Sequence, residues 1–269
     1  MDNRAVGIFD SGLGGLTAVR VLKSLMPDEN IIYFGDTGRM PYGGRPPSQI
    51  RLICRQNLAF VESFGVKAIL AACGTVSSNA KDILDSNPVK SMGVLTAGVR
   101  ELAGTGLKRL GVIATKTSIE SGAFQAEIQR LRPDAEVIAL ACPEFVPMIE
   151  GGHYDPKDPL VADTVRRSLS PLKDAEIGAL LLGCTHYGII GKAIENCLGA
   201  DVKLIGAADA AARAMRDYLT ENGMTAESGG TELYCTSGSA ADFLKLSPIM
   251  LGSPVKGEIR YVPPMKTEE

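Results

Sequence analysis

Short apolar runs bounded by Gly, Asp or Thr recur along the chain and alternate with amphipathic stretches. Eight of these runs are predicted to be strands, namely AVGIF, IIYFG, KAILAA, SMGVL, RLGVIA, AEVIAL, GALLLG and VKLIG. Because strands that alternate with helical segments are typical of βαβ units, the pattern predicts an α/β fold with a mainly parallel sheet. A helix is predicted from Ile50, with Cys54 on its buried face and Ser48 as its N-cap.

Polar residues stand directly after five of the predicted strands. They are Asp10 and Ser11, Asp36 and Thr37, Cys73, the run Thr115 to Thr117, and the run Cys184 to His186. Ligands bind at the carboxyl ends of the strands in open parallel sheets. One site is therefore predicted to collect these residues.

Two segments of the chain, KAILAACGT and GALLLGCTH, resemble each other. Each runs from an apolar strand into a cysteine that is closely followed by a threonine. This weak internal repeat indicates two similar α/β halves that present Cys73 and Cys184 to a shared cleft. The boundaries between the halves are placed near Thr96 and Gly206.

The composition limits the classes of function. The chain has 269 residues, of which 45% are hydrophobic, and this is enough to bury one large core or two ordinary ones. A net charge of −3, with acids and bases interspersed, disfavours nucleic acid and membranes as partners. The sequence shows neither a signal-peptide core nor a membrane-spanning stretch, which predicts a cytoplasmic protein. Six cysteines without a CxxC pair predict free thiols, and no metal site is expected.

The two repeated cysteines carry the predicted chemistry. A strand end that leads into a helix offers unpaired backbone N–H groups, which lower the pKa of a thiol. Cys73 and Cys184 are thus candidate bases, although a cysteine in a strand is often only a small buried hydrophobe. His186 stands two residues after Cys184 and is the candidate to assist it, whereas His153 is predicted to be a solvated loop residue.

Three carboxylates have two interpretations each. Asp10 is a helix N-cap, a contact for a ligand ammonium group, or both. Asp36 and Glu150 are turn or cap residues, or lesser members of a catalytic site. The run GIFDSGLGGLT also fits the start of a dinucleotide-binding fingerprint, which leaves a dinucleotide-binding protein as an alternative from another class. Thr17 stands where the third glycine of that fingerprint belongs, and Asp10 would repel a pyrophosphate.

Five collinear strings resemble the glutamate racemase family: FDSGLGGLT, YFGDTGRMPYG, ACGTVSS, CPEFVPMIEGG and LGCTHYG. The resemblance implies two pseudo-symmetric three-layer α/β domains with mainly parallel sheets and an active site in the cleft between them. The first domain would be discontinuous, with residues 1–95 and 207–269, and residues 96–206 would form the second. The family interconverts L- and D-glutamate for peptidoglycan synthesis without a cofactor or metal, often as a homodimer.

The resemblance also assigns roles to residues of this sequence. Cys73 would take the α-proton of D-glutamate and Cys184 that of L-glutamate, with Asp10 and His186 assisting and Glu150 and Asp36 as lesser members. The residues implied to bind the substrate are Ser11, Tyr42, Gly43, Gly74, Thr75, Thr117 and Thr185. Inversion of a stereocentre requires a base on one face and an acid on the other, which agrees with two cysteines at matching strand ends.

The sequence departs from the family pattern at several positions. Gly74 stands where the family usually has an asparagine that reaches the substrate, and Thr96 and Gly206 also differ from the usual residues. A racemase for another acidic amino acid is therefore a further alternative. If glutamate is the substrate, Gly74→Asn is expected to raise the catalytic efficiency by restoring a hydrogen bond.

Overall fold

The computed structural model describes residues 1–266. Within this range the strands are β1 (Val6–Asp10), β2 (Ile31–Gly35), β3 (Ala68–Ala71), β4 (Ser91–Gly93), β5 (Arg109–Ala114), β6 (Glu136–Ala141), β7 (Ala179–Leu182), β8 (Lys203–Gly206), β9 (Glu232–Thr236) and β10 (Glu258–Tyr261). The α-helices in the same range are α1 (Leu16–Leu25), α2 (Pro47–Glu62), α3 (Gly74–Asn79), α4 (Lys81–Asp85), α5 (Val94–Ala103), α6 (Lys116–Glu120), α7 (Ala123–Leu131), α8 (Phe145–Glu150), α9 (Pro159–Asp174), α10 (Gly191–Leu198), α11 (Ala207–Glu221) and α12 (Ala240–Leu251).

The strands form two separate sheets. The first sheet has the order β10-β9-β2-β1-β3-β4, and the second has the order β6-β5-β7-β8. Every strand pair in the described part of the chain is parallel. The predicted α/β class with mainly parallel sheets is thereby confirmed, and each of the eight predicted runs contains a strand, although Val94 and Leu95 of the run SMGVL begin α5.

The first sheet is built from both ends of the sequence. Its strands come from residues 6–93 and 232–261, whereas the strands of the second sheet all lie within residues 109–206. Helix α11 packs against both α1 and α5, and α5 also contacts β7 of the second sheet. Of the two proposed domain boundaries, Thr96 lies inside α5 and Gly206 is the last residue of β8. These element bounds do not test the division into domains, and both boundaries stay predictions.

Helix α2 differs in one detail from its prediction. Cys54 is fully buried on its inner face, as predicted. Ser48 is not the N-cap, because the helix begins one residue earlier, at Pro47. Proline suits the first helical position, since its fixed φ is already helical and its missing N–H would have no partner there.

Helices long and apolar enough to span a bilayer are absent from residues 1–266.

Candidate active site

A cavity of about 430 Å³ lies at the carboxyl ends of strands from both sheets. Loops after β1, β2 and β3 supply one part of its lining, and loops after β5, β6 and β7 supply the other. Its lining includes most of the predicted site residues, namely Asp10, Ser11, Tyr42, Gly43, Cys73, Gly74, Thr75, Glu150, Cys184, Thr185 and His186. Asp36, Thr37 and Thr117 are the predicted residues that do not line it.

Cys73 lies between the end of β3 and the first residue of α3. Its sulfur is 3.6 Å from the hydroxyl of Ser11, which follows β1. Burial raises the pKa of the Cys73 thiol to about 12, and the negative charge of Asp10 acts in the same direction. The Cys73 sulfur therefore carries a proton at neutral pH.

Cys184 belongs to a chain of three polar side chains in the second half of the molecule. Its sulfur is 3.8 Å from Nδ1 of His186, and Nε2 of the same ring is 3.0 Å from Oε1 of Glu150 in α8. Burial lowers the pKa of His186, but the hydrogen bonds with Cys184 and Glu150 outweigh burial and raise it to about 10. His186 is therefore a cation at neutral pH.

Asp10 closes the loop before α1. Its Oδ1 accepts the backbone N–H of Gly12 at 2.9 Å, but Asp10 is not the N-cap residue, because α1 begins at Leu16 and Gly15 precedes it. Burial raises the pKa of Asp10, and the charge of His186 opposes this rise. The carboxylate would meet any anion brought to this loop, which disfavours the dinucleotide-binding alternative.

Asp36 supports the cavity wall from outside the cavity. Its carboxylate accepts a hydrogen bond from the hydroxyl of Tyr42, a residue that lines the cavity. The same hydroxyl accepts a hydrogen bond from Nδ2 of Asn57 at 3.0 Å. Asp36 also forms an ion pair with Arg39 at 2.6 Å and accepts the hydroxyl of Ser237 at 2.6 Å. The predicted residue Asp36 thus acts on the site through Tyr42.

The hydroxyls of the site come from both halves of the molecule. Oγ1 of Thr75, at the start of α3, lies 3.1 Å from Oγ1 of Thr115, which follows β5. Thr117 points elsewhere and accepts the backbone N–H of Gly44 at 2.6 Å. Thr117 therefore holds the loop that contains Gly43. Thr115, which was predicted to join the site because it follows a strand but was given no role by the family resemblance, lines the cavity.

Gly74 packs against the second half of the molecule. A Cβ atom at this position would overlap the backbone carbonyl oxygen of Gly183. This packing argues against the expected gain from Gly74→Asn, because any side chain at residue 74 must first displace the backbone of residue 183.

Cys142 and Tyr187 also line the cavity, although neither was predicted as a site residue. The hydroxyl of Tyr187 donates to the carbonyl oxygen of Cys142 at 2.7 Å, and burial raises the pKa of the Cys142 thiol to about 12. The position of Cys142 directly after β6, which matches that of Cys73 after β3, was a usable signal. In the part of the chain that the structure describes, no group of three or more His, Cys, Asp or Glu residues is arranged to hold a metal ion.

Comparison with known sequences gives a consistent result. Residues 17–215 match the family described as Asp/Glu/Hydantoin racemase. The glutamate racemase of Thermoanaerobacter pseudethanolicus is 37% identical over 258 residues, which cover 95% of this chain and 96% of that protein.

Solved structures with the same fold include two crystal structures with bound small molecules. Glutamate racemase from Francisella tularensis in complex with D-glutamate superimposes with a TM-score of 0.90 at 36% identity, covering 97% of this chain and 98% of that chain. Glutamate racemase from Thermus thermophilus in complex with beta-chloro-D-alanine gives a TM-score of 0.87 at 35% identity, and the match covers 98% of each chain.

Proposed function

Because the chain belongs to the Asp/Glu/Hydantoin racemase family, we propose that it interconverts L- and D-glutamate without a cofactor or metal. The observation that carries this proposal is the placement of Cys73 and Cys184 on one cavity, each at the carboxyl end of a strand from a different sheet. Relatives named glutamate racemase match the chain over most of its length, which supports glutamate as the substrate.

Each of the two thiols exchanges a proton with one face of the substrate α-carbon. From L-glutamate, the Cys184 thiolate removes the α-proton, and the electron pair of the C–H bond stays on the α-carbon. The Cys73 thiol then gives its proton to the opposite face, which yields D-glutamate, a Cys73 thiolate and a Cys184 thiol. D-glutamate reacts by the reverse sequence. The protonated state of Cys73 and the imidazolium of His186 beside Cys184 fit the first of these directions.

The remaining polar groups hold the substrate and stabilise charge. The hydroxyls of Ser11 and Thr75 and the backbone N–H groups of Tyr42 and Gly43 in the first half, and Thr185 in the second, are available to the two carboxylates of glutamate. Donors that face the α-carboxylate also stabilise the charge that develops on it as the proton leaves. Asp10 and Glu150 assist through His186, because both carboxylates favour its charged form.

The biological role follows from the reaction. D-glutamate produced in this way supplies peptidoglycan synthesis, which is the role that the family resemblance implies. The homodimer and the cytoplasmic location that were inferred from the sequence stay predictions.

A second candidate substrate is another acidic amino acid. The observation that favours it is Gly74, which places no side chain in the cavity and brings the backbone of residue 183 close. Without the side-chain contact that the family pattern implies at residue 74, the site lacks one hydrogen bond that would select glutamate over another acidic amino acid.

A panel of amino acids in deuterium oxide tests both candidates. Proton NMR follows the loss of the α-proton signal, and polarimetry follows the loss of optical activity. We expect exchange and racemisation with L- and D-glutamate after exhaustive chelation and without added cofactor. Racemisation of a shorter acidic amino acid, with none of glutamate, would replace the first candidate by the second.

A further inference from the structure

We propose that Gly74 is a positioning residue that sets the width of the cleft between the two cysteines; this inference rests on the two-thiol racemisation proposed above. Gly74 directly follows Cys73, and Gly183 directly precedes Cys184. The two glycines meet across the cleft, so that this backbone contact lies one residue from each thiol.

The contact leaves no room for a side chain. A Cβ on Gly74 would overlap the carbonyl oxygen of Gly183 and would lie 3.5 Å from its carbonyl carbon and 3.9 Å from Cα of Cys184. All three atoms belong to the backbone, which cannot rotate away as the end of a flexible side chain can. Even a methyl group at residue 74 must therefore move one of the two segments.

The segment around Gly183 has no space to withdraw. Its backbone N–H donates to the carbonyl oxygen of Ile113 at 2.7 Å. On the same side, the position of a Cβ on Gly183 lies 2.9 Å from the ring of Phe124, which is itself fully buried. Because protein cores are close-packed, movement of residue 183 would displace this ring.

The segment around Gly74 is fixed as well. The carbonyl oxygen of Cys73 accepts both the backbone N–H and the hydroxyl of Ser77, each at 2.9 Å. The backbone N–H of Ala72 donates to the carbonyl oxygen of Phe9 in β1 at 2.8 Å. A side chain at residue 74 would thus act as a wedge between two rigid segments and would separate the halves of the molecule.

Two further contacts tie the halves together beside this point. Thr75 and Thr115 are joined by the 3.1 Å hydroxyl contact, and the hydroxyl of Thr17 in α1 lies 3.2 Å from the carbonyl oxygen of Thr185. A wedge at residue 74 stretches both contacts. The distance from each thiol to a substrate α-carbon between them then increases.

Proton transfer depends steeply on this distance. A misplacement of about 1 Å costs on the order of a hundredfold in rate. We therefore expect Gly74→Ala to lower kcat by about tenfold to hundredfold, with a smaller change in KM, because the loops that carry Ser11 and Tyr42 are not displaced directly.

The test compares Gly74→Ala with the control Gly191→Ala, since a Cβ on Gly191 meets nothing within 4 Å. For each variant, kcat and KM are measured in both directions, together with the primary deuterium isotope effect at the α-carbon. We expect Gly74→Ala to lower kcat and to raise the isotope effect, because proton transfer itself becomes slower. Partial unfolding would lower kcat without changing the isotope effect, and Gly191→Ala should match the wild type.

Crystal structures of the wild type and of Gly74→Ala give a second measure that needs no activity. We expect residues 73–75 and 183–185 to lie farther apart in the variant. Unchanged kcat, or an unchanged separation in a folded variant, overturns the proposal. If the wild type acts on an amino acid other than glutamate, the comparison is made with that substrate, so that the proposed function can fail while the role of Gly74 stands. If Gly74→Ala does not fold, the crystal structure of the wild type decides. A gap between residues 74 and 183 that is wide enough for a methyl group at residue 74 overturns the proposal.

Discussion

The carboxylate of Glu150 lies 3.0 Å from Nε2 of His186. This contact fixes the ring so that its other nitrogen faces Cys184, and it contributes to a pKa of about 10 for His186. The positive charge beside the Cys184 sulfur therefore depends on a residue that follows a different strand, β6 instead of β7. Several properties of the enzyme should respond when this and related contacts are removed.

Glu150→Gln should shift the alkaline limb of the pH profile of kcat/KM to lower pH. The Glu150 carboxylate favours the charged imidazolium, so its neutralisation lowers the pKa of His186 below the value of about 10 and the ring loses its proton at a lower pH. Steady-state kinetics between pH 6 and about 10 measures the limb, since kcat/KM reports groups of the free enzyme. Glu144→Gln is the matched control, because Glu144 is exposed and pairs with Arg167. An alkaline limb at the same pH in all three proteins would contradict this role of Glu150.

Cys73→Ala and Cys184→Ala should each abolish racemisation while the fold is retained. Each variant removes the sulfur that is proposed to exchange a proton with one face of the α-carbon. Polarimetry measures the activity and circular dichroism measures the fold. Cys54→Ala is the control, since Cys54 is buried in α2 away from the cavity and its truncation should cost only about 1 kcal/mol of stability. Full activity of either folded variant would exclude the two-thiol mechanism.

Asp36→Asn should destabilise the protein and raise KM. The substitution leaves the buried guanidinium of Arg39 without its counter-charge, and removal of one partner from a buried ion pair costs about 3–5 kcal/mol. The support of Tyr42 is weakened at the same time, which loosens the wall of the substrate cavity. Urea denaturation and steady-state kinetics measure the two effects. Asp82→Asn, which breaks the exposed pair with Arg51, should change neither quantity appreciably. Equal stability of both variants would mean that Asp36 does not support the wall.

D-glutamate, but not NAD, should raise the melting temperature. A ligand that binds only the folded state adds about 2.7 kcal/mol of stability at a free concentration of about 100 times its Kd. NAD should add nothing, because the Asp10 carboxylate accepts the N–H of Gly12 at the loop where a pyrophosphate would have to bind. Differential scanning fluorimetry with each ligand distinguishes the two classes of protein. A saturable rise with NAD would support the dinucleotide-binding alternative.

The strands of the fold were predictable where they are fully buried. Strands such as β3 and β7 read as uninterrupted apolar runs because helices cover both faces of a parallel sheet. Strands β9 and β10 were missed. Strand β10 is the edge strand of the first sheet and is largely exposed, whereas β9 lies between β10 and β2 and is buried over its last three residues. Their sequences, ELYCT and EIRY, alternate or mix polar and apolar residues and contain no long apolar run.

The site was predictable where a residue lies at the carboxyl end of a strand or within two residues of it. Cys73, Cys184 and Asp10 belong to this group, because the chain direction of a parallel sheet brings such positions to one edge. The roles of Asp36 and Thr117 were not predictable, because both act on the loop that carries Tyr42 and Gly43, and the path of a loop depends on contacts between distant segments. The obstacle at Gly74 also depends on such a contact, with Gly183 from the other half of the molecule.

The assembly of the first sheet from both ends of the sequence has a consequence for synthesis on the ribosome. Strand β2 pairs with β1 on one side and with β9 on the other, and β9 spans Glu232–Thr236. Until residue 236 has left the exit tunnel, β2 presents an unpaired edge that contains Ile31, Tyr33 and Phe34, all of which are buried in the finished protein. Unpaired apolar edges recruit other strands. The nascent chain is therefore most vulnerable to aggregation after the second sheet has emerged and before β9 has emerged. A chaperone that covers the edge of β2 would have its largest effect during this interval.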